Sequence, residues 1–135
     1  MASHSRILVV DDHPSFRHIL RLFLEQNPNW EVCGEAASGS EAVTRTSELR
    51  PDIILMDLQM PGLNGIEATR RIHKFSPATQ ILILTLHENS TLSDVAKDSG
   101  ARGYVLKTEP LEVLTEAIET LGDSEDFFVS PQHRH

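Results

Sequence analysis

Four short apolar runs along the chain each end on a polar side chain. Ile7-Leu8-Val9-Val10 meets Asp11-Asp12, Ile53-Ile54-Leu55-Met56 meets Asp57, Ile81-Leu82-Ile83-Leu84 meets Thr85, and Tyr104-Val105-Leu106 meets Lys107. Continuous apolar runs of this length predict strands buried on both faces, as in a parallel sheet covered by helices. Trp30 to Ala36 alternates instead, with Trp30, Val32 and Gly34 set against Glu31, Cys33 and Glu35, which predicts a half-exposed edge strand.

Helical periods fill the intervals. Phe16, Ile19, Leu20, Phe23 and Leu24 predict a first helix from about His13 to Gln26. Ala42, Val43, Thr46 and Leu49 predict a second, ended by Pro51. Ile66, Thr69, Ile72 and Phe75 predict a third, opened by Asn64-Gly65 after the Met60-Pro61-Gly62 turn. Leu92, Val95, Ala96 and Ser99 predict a short fourth, closed by Gly100. Leu111, Leu114, Ile118 and Leu121 predict a fifth between Pro110 and Gly122.

Strand and helix therefore alternate five times. With right-handed crossovers and the second strand at an edge, the natural assembly is a flavodoxin-like (βα)5 three-layer sandwich with parallel strand order 2-1-3-4-5. Its switch point falls between strands one and three, which carry Asp11, Asp12 and Asp57. Parallel strands share one carboxyl edge, so three carboxylates, the Thr85 hydroxyl and the Lys107 ammonium are expected to converge there.

A length of 135 residues fits one domain, with residues 1–122 as the folded unit. Residues 123–135 are expected to be a linker or tail, because Asp123-Ser124-Glu125-Asp126 is acidic and Phe127-Phe128-Val129 then precedes Ser130-Pro131. A formal charge of −8 argues against the domain gripping nucleic acid by itself, since phosphate backbones need a basic surface. Cys33 is the only cysteine, which excludes an intrachain disulfide and suits a cytoplasmic protein. No apolar stretch reaches membrane-spanning length, and Met1 to Ser5 lacks the apolar core of a signal peptide. The five histidines outside the closing His133-Arg134-His135 fit no ligand spacing and are expected at the surface; Cys33 is expected to be a structural thiol.

Three neighbouring carboxylates repel one another, and at least one stays protonated unless positive charge compensates. A hard divalent cation with oxygen ligands does so, and magnesium typically takes one or two carboxylates and keeps waters that a phosphate oxygen can replace. Lys107 can pair with an anionic group received by a carboxylate, and Thr85 can donate a hydrogen bond to it. The chemistry this supports is an aspartate accepting a phosphoryl group with Mg2+.

Four segments resemble the receiver domain of bacterial two-component response regulators: Val9-Val10-Asp11-Asp12-His13, Pro51 through Gly65, Leu84-Thr85-Leu86-His87, and Gly100 through Lys107. The resemblance spans roughly Arg6 to Gly122 and is nearest the NarL/LuxR subfamily. It implies that Asp57 is the phosphoacceptor, that Asp12, Asp57 and the Gln59 backbone carbonyl hold magnesium with Asp11 acting through water, and that Thr85 and Lys107 bind the phosphoryl oxygens. Tyr104 would be the aromatic switch paired with Thr85, and Gln59 and His87 would tune the phosphoryl lifetime. The implied partners are a sensor histidine kinase, a second copy of the chain on phosphorylation, and DNA only through a C-terminal helix-turn-helix absent from this sequence. Thr108 follows Lys107 where many receivers have proline, so no cis bond is expected there.

Blander accounts exist for each residue alone. Asp12 could be a helix N-cap, Asp57 part of a turn, Thr85 a cap of the fourth helix, and Lys107 a solvated lysine; together they would make the shared edge a coincidence. Leu22 and Val113 lie off the core stripes of the first and fifth helices and suggest a self-association face. A stand-alone receiver acting by protein contact is the alternative to a transcription regulator. Two rivals share the sheet type. An aspartate-nucleophile phosphatase would need an acid/base where Gln59 stands, and a flavin carrier would have its cofactor phosphate repelled by Asp11 and Asp12.

Overall fold

The computed structural model describes residues 4–87 and 90–128. Within them ten elements alternate: β1 Ser5–Val10, α1 Pro14–Leu24, β2 Trp30–Ala36, α2 Gly39–Leu49, β3 Ile53–Asp57, α3 Gly65–Phe75, β4 Gln80–Thr85, α4 Leu92–Ser99, β5 Gly103–Leu106 and α5 Leu111–Gly122. All strand pairs are parallel, and the sheet order is β2-β1-β3-β4-β5, as the pattern predicts.

The continuous apolar runs do what burial on both faces requires. Alternate residues of each run enter opposite cores. Leu8, Val10, Ile54, Met56, Ile81 and Ile83 pack beneath α2, α3 and α4. Ile7, Val9, Ile53, Leu55, Leu82 and Leu84 pack beneath α1 and α5. Local chemistry sets where the helices begin. The Ser38 hydroxyl accepts the Glu41 N–H and Glu41 accepts the Ala37 N–H, while the Asn64 side chain accepts the Glu67 N–H at the start of α3. Gly65 lets α3 approach the end of β3, because a Cβ there would collide with the Asp57 carbonyl.

The structure departs from the pattern in several places. The alternation of β2 does not keep one face, because the register slips between Ile7↔Val32 and Leu8↔Gly34 and leaves Cys33 as an extra residue. Val32 therefore enters the α1/α5 core and Ala36 the opposite one, while Glu35 meets Arg17 and Arg21 of α1 at 2.9 and 2.7 Å. In α1, Ile19 belongs to the expected stripe yet is as exposed as Leu22, and in α5 Val113 packs on the core although it lies off the stripe. Gly122 is the last residue of α5 rather than its stop, which is Asp123.

Beyond that helix the chain turns through Ser124 in the left-handed region and returns to the sheet. Phe127 pairs with Gly103 in a parallel bridge, its N–H donating to the Arg102 carbonyl at 2.8 Å and its carbonyl accepting the Tyr104 N–H at 3.0 Å. Asp123 to Phe128, expected to be linker, thus docks on the outer side of β5 through a single bridge at Phe127; Val129 to His135, including His133-Arg134-His135, lie outside the described residues.

Candidate functional site

Register brings the polar residues together. Val10 lies opposite Met56 and Asp57 opposite Leu84, while Thr85 lies opposite Leu106. Asp11, Asp57, Thr85 and Lys107 therefore occupy consecutive strand ends on one edge. Hydrogen bonds that continue the ladder fix the loops carrying them: Asp11 N–H to Ala36 O at 3.0 Å, Leu58 N–H to Leu84 O at 2.9 Å, and Lys107 N–H to Thr85 O at 2.7 Å.

Lys107 is the cation at the centre. Its Nζ lies 2.7 Å from Asp11 Oδ2 and 3.2 Å from Asp57 Oδ1, and 4.8 Å from the centroid of the Phe16 ring. Asp11 is fully buried; its other oxygen accepts the His13 N–H at 2.8 Å and lies 3.2 Å from His13 Nδ1. Asp57 is 2 % exposed, and Oδ1 also accepts the Gln59 N–H at 3.2 Å. Its Oδ2 is buried without a hydrogen bond. Asp12 Oδ1 is likewise buried without a hydrogen bond, lying 3.1 Å from His13 Nδ1 as an ionic contact only.

Burial raises the Asp57 carboxyl above the ordinary aspartate range, and the Asp11 charge raises it further; Lys107 and the Gln59 N–H pull it back. One ammonium shared by two buried carboxylates leaves the cluster short of positive charge. Oxygens from Asp11, Asp12 and Asp57 and a nitrogen of His13 lie within 4.8 Å of one another, close enough to share one ion. The buried Oδ atoms of Asp12 and Asp57 that lack hydrogen bonds are hard oxygen donors of the kind magnesium takes, so the residues fit such a cation.

The bland account of Asp12 loses its footing here. The cap position of α1 belongs to His13, and no side-chain capping bond is made. Thr85 is fully buried, its Oγ1 exchanging 3.3 Å hydrogen bonds with the backbone of His87, and Thr91 rather than Thr85 caps α4. Tyr104 is buried on the α4 side of β5. Two contributors escape a reading by motif. His13 is exposed as expected, yet its ring leans over the acid pair, and Phe16, assigned to the core stripe, carries the Lys107 ammonium on its ring face. Adjacency was the available signal for His13; Phe16 had none.

Comparison with known proteins points in the same direction. Residues 7–119 match the family model described as response regulator receiver domain. The chain is 41% identical over 120 residues to the transcriptional regulatory protein LiaR of Bacillus subtilis, covering 89% of this chain and 57% of that protein. It is 32% identical over 130 residues to the transcriptional regulatory protein DegU of Brevibacillus brevis, covering 96% and 55%. The chain thus spans little more than half the length of these curated relatives. A crystal structure of a LuxR-family two-component response regulator from Aurantimonas superposes with a TM-score of 0.91 at 42% identity, covering 96% of this chain and 92% of that one. No helix among the described residues is long and apolar enough to cross a membrane.

Proposed function

The chain belongs to the response regulator receiver family, and from that premise we propose that Asp57 is its phosphoryl acceptor in a magnesium-dependent reaction. One observation carries the reading: Asp57 stands buried at the end of β3, one oxygen held by Lys107 and the Gln59 N–H, the other without a hydrogen bond. A carboxylate fixed on one side leaves its other oxygen uncommitted for a nearby cation or phosphorus, and positioning of this kind supplies much of the rate in phosphoryl transfer. The Asp57 oxygen forms the new bond to phosphorus, the donor's bond to phosphorus breaks, and the donor leaves with the bonding electrons.

Asp12, Asp57 and the Gln59 carbonyl would hold the magnesium, with Asp11 acting through water; when bound, the ion neutralises the acids and the phosphoryl oxygens. Lys107 supplies the remaining charge from its seat between Asp11 and Asp57, and the Thr85 hydroxyl leaves the His87 backbone to bond a phosphoryl oxygen. Tyr104 then serves as the switch on the neighbouring strand, both of its conformers being accessible beforehand. Gln59, unable to exchange a proton, leaves the site a signalling module that handles only its own phosphoryl group.

The donor is a sensor histidine kinase in the cytoplasm. The named functions of LiaR and DegU support transcription control as the output, through a DNA-binding region beyond this chain. Self-association on phosphorylation would use α1, where Ile19 and Leu22 stand exposed.

Incubation with acetyl phosphate and magnesium followed by intact mass tests the core of this reading. One phosphoryl adduct is expected, absent in Asp57→Asn and blocked by a chelator. An adduct retained in Asp57→Asn would move the acceptor to another residue.

A further inference from the structure

The segment that Phe127 bridges to β5 is built into the domain. Phe127 is buried in the α1/α5 core, and the next residue, Phe128, lies on the opposite face against Tyr104, with ring centroids 6.4 Å apart. Lys97 of α4 sits over the Phe128 ring at 4.9 Å, and Arg102 holds the approach through Asp126 and the Ser124 carbonyl. Gly103 is matched to it, because a Cβ there would collide with the Phe127 carbonyl.

We propose that this strap and the Tyr104 ring are one two-state element, with Phe128 as a positioning residue for the switch, so that phosphorylation at Asp57 is read directly by the chain leaving α5. The inference rests on the receiver reading. The Tyr104 ring in its buried seat lies beside Phe128, whose own ring is covered by Lys97; the buried ring and the docked strap therefore belong to the same state. Whatever favours the buried ring favours docking, and the recruitment of Thr85 proposed above is the influence that would do so. Linkage makes the effect reciprocal: loss of the Phe128 ring must loosen Tyr104.

Two backbone amides report docking, the Phe127 N–H bonded to Arg102 and the Tyr104 N–H bonded to Phe127. Tyr104 is the only tyrosine, so 3-fluorotyrosine labelling gives one fluorine resonance from the switch. With magnesium and beryllofluoride as phosphoryl mimic, hydrogen exchange at both amides is expected to slow about fivefold, the lower end of usual couplings. In the free protein Phe128→Ala should move the fluorine resonance and speed exchange at Phe127, and beryllofluoride should no longer slow it. Phe128→Tyr should restore both. Gly103→Ala, which displaces the strap while keeping Phe128, should reproduce the Ala phenotype. Intact mass after acetyl phosphate separates the two levels. An adduct on Asp57 with unchanged or faster exchange at the two amides overturns the coupling and leaves the receiver reading in place. Absence of any adduct removes both.

Discussion

At the amino ends of the strands, Arg6 donates from its backbone to Asp52 at 2.8 Å and from its guanidinium to the carbonyls of Leu49 and Arg50. Nearby, Thr79 donates to the Pro51 carbonyl just beyond α2, and the Gln80 side-chain amide donates to the Leu121 carbonyl in the last turn of α5. At the carboxyl ends of the same strands, two of three clustered carboxylates share one ammonium, and an oxygen each of Asp12 and Asp57 is buried without a hydrogen bond. Donors and acceptors match at one end and are mismatched in charge at the other. The mismatched end is the one proposed above to receive a cation and a phosphoryl group. A site that satisfied itself internally would have nothing left to offer either.

Removing Lys107 breaks this contrast most. Lys107→Ala leaves Asp11 fully buried and Asp57 nearly so without their shared cation, which should cost about 3 kcal/mol of unfolding free energy. Thermal denaturation should show a drop of roughly 10 °C for a domain of this size. Millimolar magnesium should recover more of the melting temperature in the variant than in the parent, since it replaces missing charge. A loss under about 0.5 kcal/mol, the scale of exposed pairs, would mean that water already screens the cluster. Arg6→Ala attacks the opposite end and should cost about 2 kcal/mol through the Leu49 and Arg50 carbonyls it leaves behind. That loss should be the same with and without magnesium; recovery by magnesium would show that the two ends are coupled.

The two ends were not equally legible. Convergence at the carboxyl edge follows from apolar runs that are parallel and end in polar groups, so Asp11, Asp57, Thr85 and Lys107 can be placed together without coordinates. Arg6 gave no such sign, because its partners are backbone carbonyls, which no side-chain pattern announces. The Cys33 bulge was hidden for a related reason. One extra residue leaves the alternation of β2 intact while exchanging its faces, and only pairing with β1 reveals it. Ile19 and Val113 show that periodicity locates a helix stripe while spatial neighbours set its width. The Phe127 strap was masked by the acidic turn before it, which reads as linker although the two phenylalanines after it are core-forming. His13 and Phe16 depend on how the β1–α1 loop and α1 lean over the edge, a feature of tertiary packing.

A smaller perturbation sharpens the same comparison with its sign reversed. The Asp57 carboxyl is raised above the ordinary 3.8, first by burial and then by Asp11. Between 3.8 and the folded value the native chain holds a proton that the unfolded chain has released, so stability falls as pH rises through that window. The favourable contribution is complete below 3.8, and above the folded value the buried charge is a net cost. Asp57→Asn removes the charge, keeps an oxygen for Lys107 and places an amide where Oδ2 lacks a hydrogen bond. At neutral pH the variant should therefore be more stable by about 1 kcal/mol, a rise of ~4 °C in melting temperature. The gain should shrink as pH is lowered toward 3.8, where the wild-type carboxyl is already neutral. A variant less stable than its parent at neutral pH would show that the Lys107–Asp57 pair outweighs desolvation and that the edge is balanced rather than short of charge. Magnesium should narrow the gap from the other side, stabilising the wild type more than Asp57→Asn, because the ion binds most strongly to the charge whose burial is costly.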